Sequence, residues 1–175
     1  MMVHPLVFVP QAVVDAGRRA LVPLDAWRRA GHLLVTDGNV VDQDAIVQAI
    51  LAFGQQYRIT EIAFDPWNAT QLALRFKAEG LAVVEVRQGP KTLSEPTQAL
   101  AALVVDGKLQ HGGHPVLRWM ADNFTVRTDP NANVAPDKAR ASEKIDAIVA
   151  LIMALSRRGK SQQQQYQMLV LGGRR

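Results

Sequence analysis

The stretch Ile62-Ala-Phe-Asp-Pro-Trp-Asn-Ala-Thr-Gln71 constrains the fold of this chain more than any other. An apolar run ends on a carboxylate, breaks at Pro66 and resumes at helical spacing, which predicts a strand, an acidic turn and a helix. In an α/β sheet the carboxyl end of a strand faces the crevice where such folds bind ligands, so Asp65 is the first candidate for chemistry. The position also has a purely structural reading. Asp before Pro starts helices, with Asp65 as N-cap and Pro66 at the first helical position; alternatively Asn68 caps, with Gln71 three residues on.

The flanking pattern repeats the alternation. Strands are predicted over residues 6–9, 33–36, 59–64, 81–86 and 124–127, and helices over 24–30, from 42 to about 57, and over 71–79, 97–105, 114–123 and 142–158. Asp37-Gly38-Asn39 and Gly80 punctuate them, and 129–138 reads as a polar loop with two prolines. The order strand, helix, strand, helix implies parallel neighbours joined by crossovers. The last helix carries the clearest buried stripe, Ile145, Ile148, Val149, Ile152 and Leu155. Residues 1–158 are expected to form one domain, followed by a flexible, basic, Gln-rich tail over 159–175.

Composition removes several function classes. Across 175 residues, 48% are apolar, enough for one core, and the absence of cysteine excludes disulfides and thiolate zinc sites. The opening residues show no basic leader, and their apolar run is too short for a membrane span, so no membrane partner is expected. The net charge of +4 favours a polyanionic partner. Much of the excess sits in Arg157, Arg158, Lys160, Arg174 and Arg175, where a basic tail is an equal reading. No Gly-x-Gly-x-x-Gly or Gly-Lys-Ser/Thr loop precedes a helix, which argues against an ATPase or dinucleotide fold.

The second informative carboxylate is Asp146, projected at the border of the last helix's stripe beside Ser142, Glu143, Val149 and Ala150. None of these is a cation, so Asp146 calls for a divalent metal or for a lysine or arginine from elsewhere in the fold. Asp65 and Asp146 together outline a phosphoryl-transfer site holding one or two Mg²⁺ or Mn²⁺ ions, about 3.5–4 Å apart where there are two. A third carboxylate would come from Glu143, Asp137 or Asp42, each of which also reads as a cap or surface residue. Lys138, Arg140 and Lys144 crowd the approach to this helix and would either meet phosphates or form a solvated face. His111 and His114 have metal-like spacing, but their Gly-Gly-x-Pro context reads as a turn.

Several ordered blocks then point to a family. They are Trp27-Arg-Arg-Ala-Gly-His-Leu33, Gly38-Asn-Val-Val-Asp42, residues 62–71, Val86-Arg-Gln-Gly89, His111-Gly-Gly-His-Pro-Val-Leu-Arg-Trp119, and Pro136-Asp-Lys138 with Lys144-Ile-Asp-Ala-Ile-Val-Ala150. From about residue 20 to 158 the chain resembles the C-terminal nuclease half of tailed-phage terminase large subunits. The resemblance implies an α/β, RNase H-like mixed sheet flanked by helices, and a metal-dependent endonuclease that cuts concatemeric viral DNA during genome packaging in the bacterial cytoplasm. It implies double-stranded DNA, the small terminase subunit and the portal as partners. By it, Asp65 and Asp146 correspond to two metal-binding aspartates and Lys138 falls in a basic loop near DNA; Glu143 rests on spacing alone.

Two features of that family find no match. They are an Asp-Leu-Ser type motif on the first strand, which supplies another metal-binding aspartate, and an ATPase motor with its phosphate loop. The expectation is an N-terminally truncated nuclease domain, from a phage or a decayed prophage, with unpaired strand edges that favour a homo-oligomer. The alternative is a catalytically inactive DNA-binding or packaging-assembly module of the same fold. Other RNase H-like enzymes, such as junction resolvases and integrases, share the carboxylates but not the blocks.

Overall fold

Short apolar runs between turn residues make six strands of three residues each among the residues that the computed structural model describes, 1–17 and 22–159. In chain order the elements are β1 (Phe8–Pro10), α1 (Gln11–Gly17), α2 (Leu24–Arg29), β2 (Leu34–Thr36), α3 (Gln43–Gly54), β3 (Ile62–Phe64), α4 (Pro66–Ala78), β4 (Val83–Glu85), α5 (Pro90–Val105), α6 (Pro115–Asp122), β5 (Val126–Thr128), β6 (Val134–Pro136) and α7 (Asp146–Arg157). The tail predicted to be flexible lies outside the described residues from Lys160 onward, including Arg174 and Arg175. Among the described residues no helix is long and apolar enough to cross a membrane.

The strands pair as three two-stranded ladders, β1 with β2 and β3 with β4 in parallel, and β5 with β6 antiparallel. The expected parallel crossover is therefore present in β3–α4–β4, where Ile62 stands opposite Val83 and Phe64 opposite Glu85. The ladders are separate two-stranded units, so helices carry much of the packing. Leu93 and Leu100 of α5, Val116, Leu117 and Met120 of α6, and Ile148, Val149, Ile152 and Met153 of α7 fuse into one cluster with Val86 and Leu33. Helix α7 lies against α5, α6 and β3, and α5 also packs on β6.

Local chemistry explains where the elements begin. Asp42 caps α3 by accepting the Asp44 N–H at 2.8 Å, and its own N–H donates to the Thr36 hydroxyl at 3.2 Å, tying β2 to the helix. Of the boundaries that differ from the sequence expectation, three have a clear local cause. Helix α5 starts at Pro90 and runs through Pro96, whose missing N–H would bond the Thr92 carbonyl; the helix continues because Pro96, Thr97 and Leu93 are buried together. Strand β6 lies inside the stretch expected to be loop, closed against β5 by Asp129, whose carboxylate accepts the N–H groups of Asn131 and Asn133, each at 2.9 Å. Helix α7 begins at Asp146 rather than 142, because Ile145 is non-helical (φ −129, ψ 15) and the Ser142 hydroxyl donates to Asn123 at the end of α6.

Candidate active site

Parallel pairing of β3 and β4 brings their carboxyl ends side by side, and the next residues carry the site. The Val86 N–H donates to the Phe64 carbonyl at 2.8 Å, continuing the ladder to the point where Asp65 begins. Asp65 is the N-cap of α4, its Oδ1 accepting the Trp67 N–H at 3.2 Å, with Pro66 as the first helical residue. Its Oδ2 faces the other way and accepts a 2.7 Å hydrogen bond from Gln88 Nε2 in the loop after β4. The cap reading of Asp65 therefore stands, with one oxygen on the helix start and the other tied to the loop after β4. Gln88 also touches Met153 Sδ of α7 at 3.9 Å, joining this corner to the helix that begins with Asp146.

Asp146 is the first residue of α7, and its side chain is 64% exposed. There a negative charge is favourable to the helix dipole. Lys138 Nζ lies 3.2 Å from Asp146 Oδ1, so a lysine from the preceding loop supplies the cation that the helix itself lacks. Ser142, Glu143 and Lys144 precede α7, so the helical projection that set Glu143 beside Asp146 does not apply. Glu143 and Lys144 are both exposed.

The remaining carboxylates have local duties. Asp137 is buried, and its Oδ1 accepts the N–H groups of Ala139 and Arg140 at 3.1 and 3.3 Å while Arg140 Nε stands 3.7 Å from Oδ2. It fixes the turn that presents Lys138. Asp42 is spent on the α3 cap. His114 caps α6 through Nδ1, which accepts the Leu117 N–H at 3.3 Å, and its ring meets His32 edge-on with centroids 4.9 Å apart. Burial, then the neighbouring His32 and His111, hold its pKa below the usual value of 6.5. The His111–His114 segment is therefore the turn its glycines imply.

A cleft of about 210 Å³ is lined by Gln88, Arg127, Asp137 and Lys138 among others, while Asp65 and Asp146 lie outside its lining. Gln88 leads from it to Asp65 and Lys138 to Asp146, so the cleft is bordered by the hydrogen-bond partners of both carboxylates. Sequence reasoning did not assign Gln88 or Arg127 a role. The only signal was position: each lies in or just after a strand.

Among the described residues no group of three or more His, Asp or Glu side chains is placed to hold a metal ion. Two carboxylates remain, both hard oxygen donors, and Mg²⁺ is commonly held by one or two carboxylates with water and substrate phosphate supplying the rest.

Comparison with known proteins gives these groups a context. A family model described as the endonuclease domain of terminase large subunits matches residues 3–162. The chain is 33% identical over 156 residues to the terminase large subunit of Enterobacteria phage HK97, covering 87% of this chain and 31% of that protein. It is 33% identical over 162 residues to protein YmfN of Escherichia coli strain K12, covering 89% of this chain and 36% of the other. The chain thus spans about a third of the length of the curated relatives it matches. Among solved structures it is similar to the HK97 large terminase, with a TM-score of 0.78 at 33% identity over 85% of this chain and 32% of that one. The large terminase nuclease from thermophilic phage G20c with bound magnesium shares the fold, with a TM-score of 0.52 at 17% identity over 68% of this chain and 64% of that one. The fold common to these neighbours is the α/β, RNase H-like one that the ordered blocks implied.

Proposed function

We infer the function from one premise: the chain belongs to the family of terminase large subunit endonuclease domains. Its general role is that of a nuclease domain in phage DNA packaging. Beyond that premise, the reading is a divalent-metal-dependent endodeoxyribonuclease that acts on double-stranded DNA in the cytoplasm of a bacterial host. The folded unit assigned to it is residues 1–158. The small terminase subunit and the portal are its assembly partners in this reading, and a second copy of the chain is a further one.

The observation that carries the reading is the cleft bordered through Gln88 by Asp65 and through Lys138 by Asp146. Asp65 and Asp146 are the residues that would hold Mg²⁺ or Mn²⁺. When bound, such an ion supplies Lewis-acid stabilisation of charge on the phosphodiester oxygens and lowers the pKa of a water. The protein's own part is positional. The α4 cap and Gln88 fix both oxygens of Asp65, so the carboxylate meets an ion without reorganising. Lys138 and Arg127 offer positive charge at the cleft for the DNA backbone, and Lys138 would be free for a phosphate wherever a cation took its place at Asp146. Arg140 and Lys144 add exposed charge on the same approach.

The binding-module reading also has an observation in its favour: Lys138 already neutralises Asp146, and among the described residues no third carboxylate joins the pair. Nicking of supercoiled plasmid with Mg²⁺ or Mn²⁺ separates the two. Nicking by the unmodified chain that is lost in both Asp65→Asn and Asp146→Asn supports the nuclease. DNA binding with no nicking under either cation supports the module.

A further inference from the structure

We propose that Trp67, two residues after Asp65 at the start of α4, is a stacking residue for a DNA base, and that it sets a preference for easily unstacked base steps. The inference rests on the DNA reading above. Trp67 is 87% exposed, the most exposed of the large apolar side chains among the described residues. Its exposure is not forced by a need to build α4. That helix is started by Pro66 and by the Asp65 carboxylate on the Trp67 N–H, and its first turn is tied further by the Thr70 hydroxyl donating to the Pro66 carbonyl at 2.9 Å. None of these devices uses the indole.

The other two tryptophans are treated differently. Trp27 and Trp119 face each other with ring centroids 5.8 Å apart and pack against the core cluster. Two indoles are thus partly buried against the core, while Trp67 is left in water, where it forgoes the burial gain of an aromatic ring. That one is two residues from Asp65, and the same carboxylate fixes its backbone. A group of this kind suits a partner with flat apolar faces and nearby phosphates. A nucleobase has both, and base–aromatic stacking is tolerant of sequence. A base reached from a duplex must first leave its neighbour, and TA and CA/TG steps yield most readily, so a wedge of this type converts DNA deformability into preference.

The test uses intrinsic fluorescence of the whole chain with a 20-base-pair duplex in Ca²⁺, an oxygen-seeking cation like Mg²⁺, with binding followed independently by anisotropy of a dye on the DNA. The expected result is quenching of indole emission and loss of acrylamide access on binding, both absent in Trp67→Ala. Trp67→Ala is expected to bind about tenfold more weakly and Trp67→Phe to fall between, since stacking on one base corresponds to roughly five- to a hundredfold in affinity. Wild type is expected to favour a duplex with a central TA step over an A-tract, and Trp67→Ala to lose that preference. Binding by anisotropy with unchanged Trp67 emission and equal affinity in Trp67→Ala overturns the stacking role and leaves the DNA reading standing. No binding by wild type overturns both. Shielding of Trp67 without DNA that grows with protein concentration assigns the indole to a protein interface and overturns the proposal as well.

Discussion

Replacing Arg157 by methionine should be among the most damaging single changes outside the apolar core. Arg157, at the end of α7, holds Glu61, just before β3, with two hydrogen bonds, the Nη2 to Oε2 one at 3.0 Å. The side chains are only 21% and 11% exposed, and the hydrogen bond to Glu61 is the main cause that raises the Arg157 pKa above its usual value. Removing one partner of a fully buried pair costs about 3–5 kcal/mol, mostly from the stranded charge. Arg157 keeps a fifth of its side chain in water, so about 2–3 kcal/mol is the expected loss. At about 2–4 °C per kcal/mol for a chain of this size, Tm falls by roughly 5–10 °C. The pair clamps the end of α7 to the residue before β3. The assay is thermal and urea unfolding of wild type, Arg157→Met, Glu61→Gln and the double variant. The double variant should recover more than half of the loss, since it leaves no buried charge unpaired. A loss below about 0.5 kcal/mol in Arg157→Met, or a double variant no more stable than either single one, refutes this reasoning.

Three further outcomes follow from the same contacts. Because the His114 pKa is lowered by burial and by His32 and His111, the unfolded chain takes up its proton first as pH falls. The stability contribution is therefore present above about pH 6.5 and lost as pH drops from there through the lowered folded value; His114→Asn, which retains a cap acceptor, should flatten Tm between pH 7 and 5 relative to wild type. Ile152→Ala at a fully buried position of α7 should cost about 2–5 kcal/mol in urea unfolding. Asp42→Ala removes the α3 cap and should cost about 1 kcal/mol by the same measurement.

What the sequence made legible was set by how local the determining interaction is. The strand ending at Asp65, the α3 cap at Asp42 and the apolar stripe of α7 each depend on neighbours within a turn, and each stands as the spacing predicts. The start of α7 was misplaced because Ser142 is claimed by Asn123, a partner 19 residues away. With that misplacement went the expectation that Glu143 shares a helical face with Asp146. The helix expected over 97–105 extends back to Pro90 because burial holds α5 together across Pro96, and β6 was hidden among turn residues that close a hairpin. Gln88 meets Asp65 across 23 residues through the β3–β4 pairing, which no periodicity encodes. Lys138 is eight residues from Asp146, near enough for a cation from elsewhere in the fold to be foreseen as one of two solutions, though not as the one adopted.

The central claim is that Asp65 and Asp146 share a divalent cation at the cleft. Its most direct test is Mn²⁺ titration of wild type, Asp65→Asn and Asp146→Asn in the presence of a short duplex, following the electron paramagnetic resonance signal of the free ion. Asparagine keeps a cap acceptor for α4 while removing the charge that an ion needs. The account predicts Mn²⁺ uptake by wild type that weakens at least about tenfold in each variant. Equal uptake by all three proteins, with or without DNA, would contradict it.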